Sequence, residues 1–151
     1  MTQVIIQETD FQRARNKIRE AKKQSKAQVK IIFTSSSDDI NRKILEKEKI
    51  DVLLLSLTSR KDRMKQRDSG FNQVLAKIAK KNSVSIGINM NEILSSHGKE
   101  KARILARISQ NIKLCSKNKL KMIFFPQLKD KYELKSIGLV LGMPTWMTKQ
   151  I

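Results

Sequence analysis

The stretch RDSGFNQVLAKIAKKNSVSIGIN, Arg67 to Asn89, holds a loop, a capped helix and a buried strand in quick succession, and no catalytic group. Asp68 and Ser69 are N-cap residue types placed just ahead of Phe71, Val74, Leu75 and Ile78, an apolar set at helical spacing. Gly70 loosens the backbone at the entry, and with Asn72 these residues form a loop and cap signature: Asp68, Ser69, Gly70, Asn72. Lys77, Lys80 and Lys81 fall on the outer side and in the last turn, where cations suit the negative end of the helix dipole. After a turn at Asn82-Ser83, the run Val84 to Ile88 is short, β-branched and nearly continuous, as a strand covered on both faces of a parallel sheet should be.

Working outward, the same alternation recurs. Gln3 to Gln7 predicts a first strand, Asp10 caps a helix whose Phe11, Ala14, Ile18 and Ala21 recur every three or four residues, and Val29 to Thr34 predicts a second strand. Ser37 or Asp38 caps a second helix with Ile40, Ile44 and Leu45 inward, and the continuous run Ile50 to Leu57 predicts a buried third strand. The segment Thr58 to Asp68, TSRKDRMKQRD, reads as a loop. Lys99 to Asn118 is the longest predicted helix, with Ile104, Leu105, Ile108, Ile112 and Cys115 on one face and Lys99, Arg103, Arg107, Gln110, Lys113 and Lys117 on the other. Met122 to Phe125 predicts a fifth strand. SIGLVLGM fits a strand by composition, yet its spacing and the Gly142-Met143-Pro144 stop favour a helix. Strands alternating with helices imply a parallel α/β sheet with right-handed crossovers.

At 151 residues and 17.4 kDa, the chain is expected to form one α/β domain over residues 1–151. Its formal charge is +18, and 39% hydrophobic content with regular periodicity argues against disorder as the cause. The excess is uneven: residues 1–50 carry a net of +5 and residues 51–151 a net of +13. A polyanion is the expected partner, with a plain solvated lysine surface as the alternative. The opening MTQVIIQETD lacks the features of a signal peptide and no run of about eighteen apolar residues occurs, so a cytoplasmic location without membrane contact is expected. Cys115 reads as a small buried hydrophobe, and His97, the single histidine, lies in the loop SSHGK.

Two basic constellations stand out. Arg60, Lys61, Arg63, Lys65 and Arg67 crowd one loop after the third strand, broken by Asp62 and Asp68. That loop lies at the carboxyl end of the sheet, where α/β folds place binding loops. Phosphate contact is the reading; a mobile loop or a dock for an acidic protein is the alternative. The second constellation, Lys99, Arg103, Arg107 and Lys113, is read either as RNA contact or as a solvated helix exterior. Aromatic residues make up 5% of the chain, too few for a base-stacking surface, so phosphates and RNA shape should carry recognition. A metal-dependent phosphoesterase is the competing class, but one histidine and scattered acids supply neither a metal-bridged nucleophile nor an acid/base pair. A ribosome-associated or other basic RNA-binding protein fits the composition equally well.

The opening block, followed in order by Asn91-Glu92-Ile93-Leu94, a short loop, KARILARISQNIKLCSKNKLKMIFF and YELKSIGLVLGMP, resembles the barrel-type protein subunit of ribonuclease P of archaea and eukaryotes, protein component 3. The resemblance runs from Asp51 to about Met147. Two positions depart from it: Gly87 stands where the family usually has an acidic residue, and Pro126 where a Ser usually follows the strand. It implies an incomplete or truncated TIM-barrel-like (PHP-like) sheet with outer helices. It also implies assistance to a catalytic RNA that removes the 5′ leader of precursor tRNA: the catalysis and the Mg²⁺ belong to the RNA, and no cofactor is bound by the protein. Implied partners are the ribonuclease P RNA, precursor tRNA and a small ferredoxin-like protein subunit.

Overall fold

Five strands run parallel and lie in the order in which the chain makes them, β1-β2-β3-β4-β5, in the computed structural model, which describes residues 2–25 and 27–151. They are β1 (Thr2–Gln7), β2 (Val29–Thr34), β3 (Val52–Leu55), β4 (Ser85–Asn89) and β5 (Met122–Phe125). Between and after them come α1 (Phe11–Gln24), α2 (Asp38–Lys47), α3 (Gln73–Lys81), α4 (Met90–Ser95), α5 (Gly98–Lys117), α6 (Lys131–Leu141) and α7 (Thr145–Thr148). Strand order equal to chain order is the winding of a barrel wall, unlike the doubly wound sheet, whose order reverses at a switch point. The fold is a partial TIM-barrel-like α/β sheet flanked by helices.

Alternation along the strands sorts the core into two faces. Ile31 and Phe33, Leu53 and Leu55, Ile86 and Ile88, and Met122 and Phe124 join the main cluster with Ala14, Ile18, Ile44, Ile108 and Cys115 of the helices. Ile32, Val52 and Leu54 form a second cluster, with Ile123 and Phe125 packed against it. On that second face Gly87 has a packing reason: a Cβ there would stand 2.8 Å from Leu54 Cδ1 and 3.1 Å from Val52 Cγ1. A side chain at that position requires Leu54 to shift.

Local chemistry accounts for the element boundaries, and several differ from expectation. Asp10 caps α1, accepting from the Arg13 N–H at 2.8 Å. The third strand is shorter than Ile50 to Leu57: just before it the Asp51 side chain accepts from the Ile31 N–H at 2.7 Å, and beyond it the Leu57 N–H donates to Glu92 Oε2 at 2.9 Å. Helix α3 begins at Gln73, and its cap is Asn72, which accepts from the Leu75 N–H at 2.9 Å; Asp68 and Ser69 do not cap it. That late start turns Val74 outward, 53% exposed, while Leu75, Ala76 and Ala79 are buried. The SIGLVLGM segment is helical: Asp130 and Glu133 form a reciprocal capping box at the start of α6, and Gly142, at φ 102°, ends it in the left-handed conformation. Trp146 packs on the core beneath Lys119, whose Nζ lies 5.6 Å from the ring centre. Cys115 is fully buried, and burial pushes its thiol up to about 12. Among the described residues no helix is long and apolar enough to cross a membrane.

Candidate nucleic-acid interface

The basic loop after β3 is built on two arginines, one buried and one half-buried. Arg107, on α5, is 1% exposed. Its Nη1 donates to the Leu57 carbonyl at 2.8 Å, and its Nη2 donates to the Arg60 carbonyl at 2.8 Å and to Asp62 Oδ1 at 3.1 Å. A rigid guanidinium fork suits this task, since several acceptors from separate residues are met by one planar group. Arg60 is the second anchor, with a side chain 10% exposed. Its Nε donates to the Ser56 carbonyl at 2.6 Å, and its two terminal nitrogens reach Asp38 at 2.9 and 2.8 Å. Nη1 also reaches Asp68 Oδ1 at 3.3 Å. The bond to Asp38, above all, holds the Arg60 guanidinium above its ordinary pKa.

Asp62 and Asp68 are therefore parts of the frame. The Asp68 N–H donates to Asp62 Oδ1 at 2.9 Å, and the Gly70 N–H donates to Asp68 Oδ1 at 3.0 Å. The Asp68 amide first, and then the Arg107 guanidinium, hold the Asp62 carboxyl below the usual range. Gly70 sits at φ +65°, and a Cβ on it would stand 2.5 Å from Arg60 Nη2. Glycine is required there on both counts. Ser69 is buried, its hydroxyl 3.3 Å from the Phe71 carbonyl it donates to. Gln110 of α5 donates to the Arg67 carbonyl at 3.1 Å.

Above this frame the chain turns in a narrow hairpin: the Arg63 N–H donates to the Gln66 carbonyl at 2.9 Å, and the Gln66 N–H donates back at 3.3 Å. Lys61, Arg63, Lys65 and Arg67 are all exposed on it, with Met64 at the tip. Lys99, Arg103 and Lys113 are exposed along α5. The expected constellations thus divide. Arg60 and Arg107 face inward and serve as supports, whereas Lys61, Arg63, Lys65, Arg67, Lys99 and Arg103 are available to a partner. Periodicity places Arg107 with the exposed row, and the structure places it in the interior because the loop folds over that part of α5. Sequence reasoning gives Glu92 no role in the loop: it accepts from Ser56 Oγ at 2.8 Å as well as from the Leu57 amide, fixing where the loop leaves β3. Among the described residues no three His, Cys, Asp or Glu side chains are grouped to hold a metal ion.

No family model matches the chain. Relatives are found by direct comparison. Ribonuclease P protein component 3 of Methanosarcina mazei is 31% identical over 106 residues, 70% of this chain and 41% of the relative. Its counterpart in Methanococcus vannielii is 28% identical over 137 residues, 90% of this chain and 57% of the relative. A chain of the cryo-EM structure of archaeal ribonuclease P with mature tRNA superposes with a TM-score of 0.77 at 25% identity, covering 97% of this chain and 62% of that one. This chain is thus similar in sequence and in fold to ribonuclease P protein component 3 proteins. It spans about half the length of the curated component 3 proteins it matches.

Proposed function

We propose that the chain is a protein subunit of ribonuclease P, which assists the catalytic RNA in removing the 5′ leader of precursor tRNA. The observation that carries the reading is the hairpin itself: Lys61, Arg63, Lys65 and Arg67 are held outward by the Arg60 and Arg107 frame, in a chain whose relatives are component 3 proteins. Four exposed cations within seven residues repel one another, and RNA phosphates relieve that repulsion while releasing counterions. Because the loop backbone is pinned, little ordering entropy is lost on contact. The cations then neutralise phosphates that would otherwise need Mg²⁺, so the RNA folds its core at a lower concentration of the metal. Catalysis and Mg²⁺ reside in the RNA. The partners are the ribonuclease P RNA, precursor tRNA in the assembled enzyme and the ferredoxin-like subunit, and the site of action is the cytoplasm.

Reconstitution tests the reading. Cognate RNA with the ferredoxin-like subunit is assayed for precursor tRNA cleavage across a Mg²⁺ series, with and without this chain. A shift of the Mg²⁺ requirement to lower concentration is the expected result. An unchanged requirement, with the chain bound to unrelated RNA equally well, overturns it in favour of a general basic RNA-binding protein.

A further inference from the structure

Beside the hairpin lies a cavity of about 320 Å³, bounded by the first turn of α2, the base of the hairpin and the 68–72 segment. Its size is at the low end for small-ligand sites, which begin at about 300 Å³. Both charge signs line it: Arg42, Arg63 and Arg67 on one hand, Asp38, Asp39 and Asp68 on the other, with Phe71 and Leu75 supplying apolar surface.

Most of these charges are already occupied. Asp38 holds Arg60 with both oxygens, Asp68 accepts from Gly70 and Arg60, and Arg42 donates its Nε to Glu46 at 2.8 Å. Among the described residues, Arg63 and Arg67 make no ion pair, and the Asp39 side chain accepts no hydrogen bond. Two open guanidiniums and one open carboxylate face a single cavity. A bare metal ion leaves the two guanidiniums unmatched, and inorganic phosphate leaves the Asp39 carboxylate unmatched. A ligand with an anionic end and a donor-bearing end satisfies both.

We propose that this cavity is a single-nucleotide site, taking one guanosine nucleotide splayed out of an RNA strand, its phosphate on Arg63 and Arg67 and its base edge on Asp39. Guanine presents two parallel N–H donors, which match the two oxygens of a carboxylate. Uracil flanks its one N–H with carbonyls, which a carboxylate repels. Splayed bases read on their Watson–Crick edges are the common mode of sequence-specific RNA recognition. The inference rests on the RNA-binding reading above and adds base selectivity to it.

The test uses the full chain, titrated by calorimetry with GMP, UMP and inorganic phosphate. Saturable GMP binding about tenfold tighter than UMP is expected, within the range of a bidentate base contact. Asp39→Asn removes that difference while nucleotide binding persists, and Arg63→Gln with Arg67→Gln weakens both nucleotides. A short single-stranded RNA containing one guanosine displaces GMP, whereas its uridine counterpart does not. Equal binding of GMP and UMP, no saturable binding, a preference that survives Asp39→Asn, or failure of the guanosine oligonucleotide to compete each overturns the proposal. Because the mononucleotide titrations require no ribonuclease P RNA, their failure leaves the subunit reading standing. Failure of the Mg²⁺ shift in reconstitution, with GMP selectivity intact, would sink that reading alone.

Discussion

The Arg107 guanidinium donates to the Arg60 carbonyl oxygen at 2.8 Å across 47 positions of sequence, so a buried residue of α5 sets the backbone from which the exposed cations project. Replacing Arg107 by Met leaves the Leu57 and Arg60 carbonyls without that donor and Asp62 with the Asp68 amide alone. We expect a loss of about 3 kcal/mol in urea unfolding. Arg103→Ala, four residues earlier on the exposed row, should fall within about 0.5 kcal/mol of the parent. Equal losses would show that burial of Arg107 adds nothing.

Capping of α3 belongs to Asn72. Asn72→Ala should cost about 1 kcal/mol, and Asn72→Asp should keep most of it because either side chain accepts from the Leu75 amide. Gly70→Ala should cost more than Asn72→Ala, because the new Cβ meets Arg60 Nη2 and the residue must hold φ +65°. Thermal melts of the three variants rank the two effects.

Salt dependence of RNA affinity separates a defined site from a diffuse coat. Each phosphate contact adds about 0.7 to 0.9 to the magnitude of the slope of log affinity against log salt. The triple change Arg63→Ala, Lys65→Ala, Arg67→Ala should flatten the slope by roughly two units. The same number of changes at Arg13, Lys17 and Lys23 on α1 should alter it far less. Arg60 is left intact in this design, since its removal would disturb the frame and confuse charge with shape.

Acid should weaken the loop frame through Asp62. Its folded pKa lies below its ordinary value of 3.8, so its contribution is present above that value and is lost as pH falls through the folded one. The gap in urea midpoint between the parent and Asp62→Asn should therefore narrow as pH drops below about 4. A gap that stays constant down to the lowest accessible pH would show that the Asp62 contacts are not charge-dependent.

Much of the architecture is written in period and punctuation. Val29–Thr34 and Met122–Phe125 are strands at the expected residues, and Cys115 is buried on the expected face of α5. Such features depend on near neighbours in sequence. The anchors do not. Arg60 looks like any of the five cations in its loop until Asp38, 22 residues earlier, is brought beside it. Arg107 stands next to Ile108 at the margin of the apolar stripe, and its fate is settled by a loop folding over it. The acids inside the basic loop were a usable signal: Asp62 and Asp68 interrupt the charge at places where the backbone needs acceptors. Asp68, Ser69 and Asn72 are all cap types, and which one caps depends on the residue at which helical dihedrals begin, something spacing locates only to within a turn.

The order of the strands carries a kinetic consequence. Each new strand lies beside the one made just before it, so no strand has to enter between two that are already paired. Assembly can proceed along the chain in the direction of synthesis, with α1 laid over the first pair before β3 exists. The loop frame is the exception: the Leu57 and Arg60 carbonyls and the Asp62 carboxylate wait for Arg107, which is made long after them. The surface proposed to meet RNA is therefore among the last parts of the molecule to take shape, and a nascent chain holds its hairpin loosely until α5 has emerged.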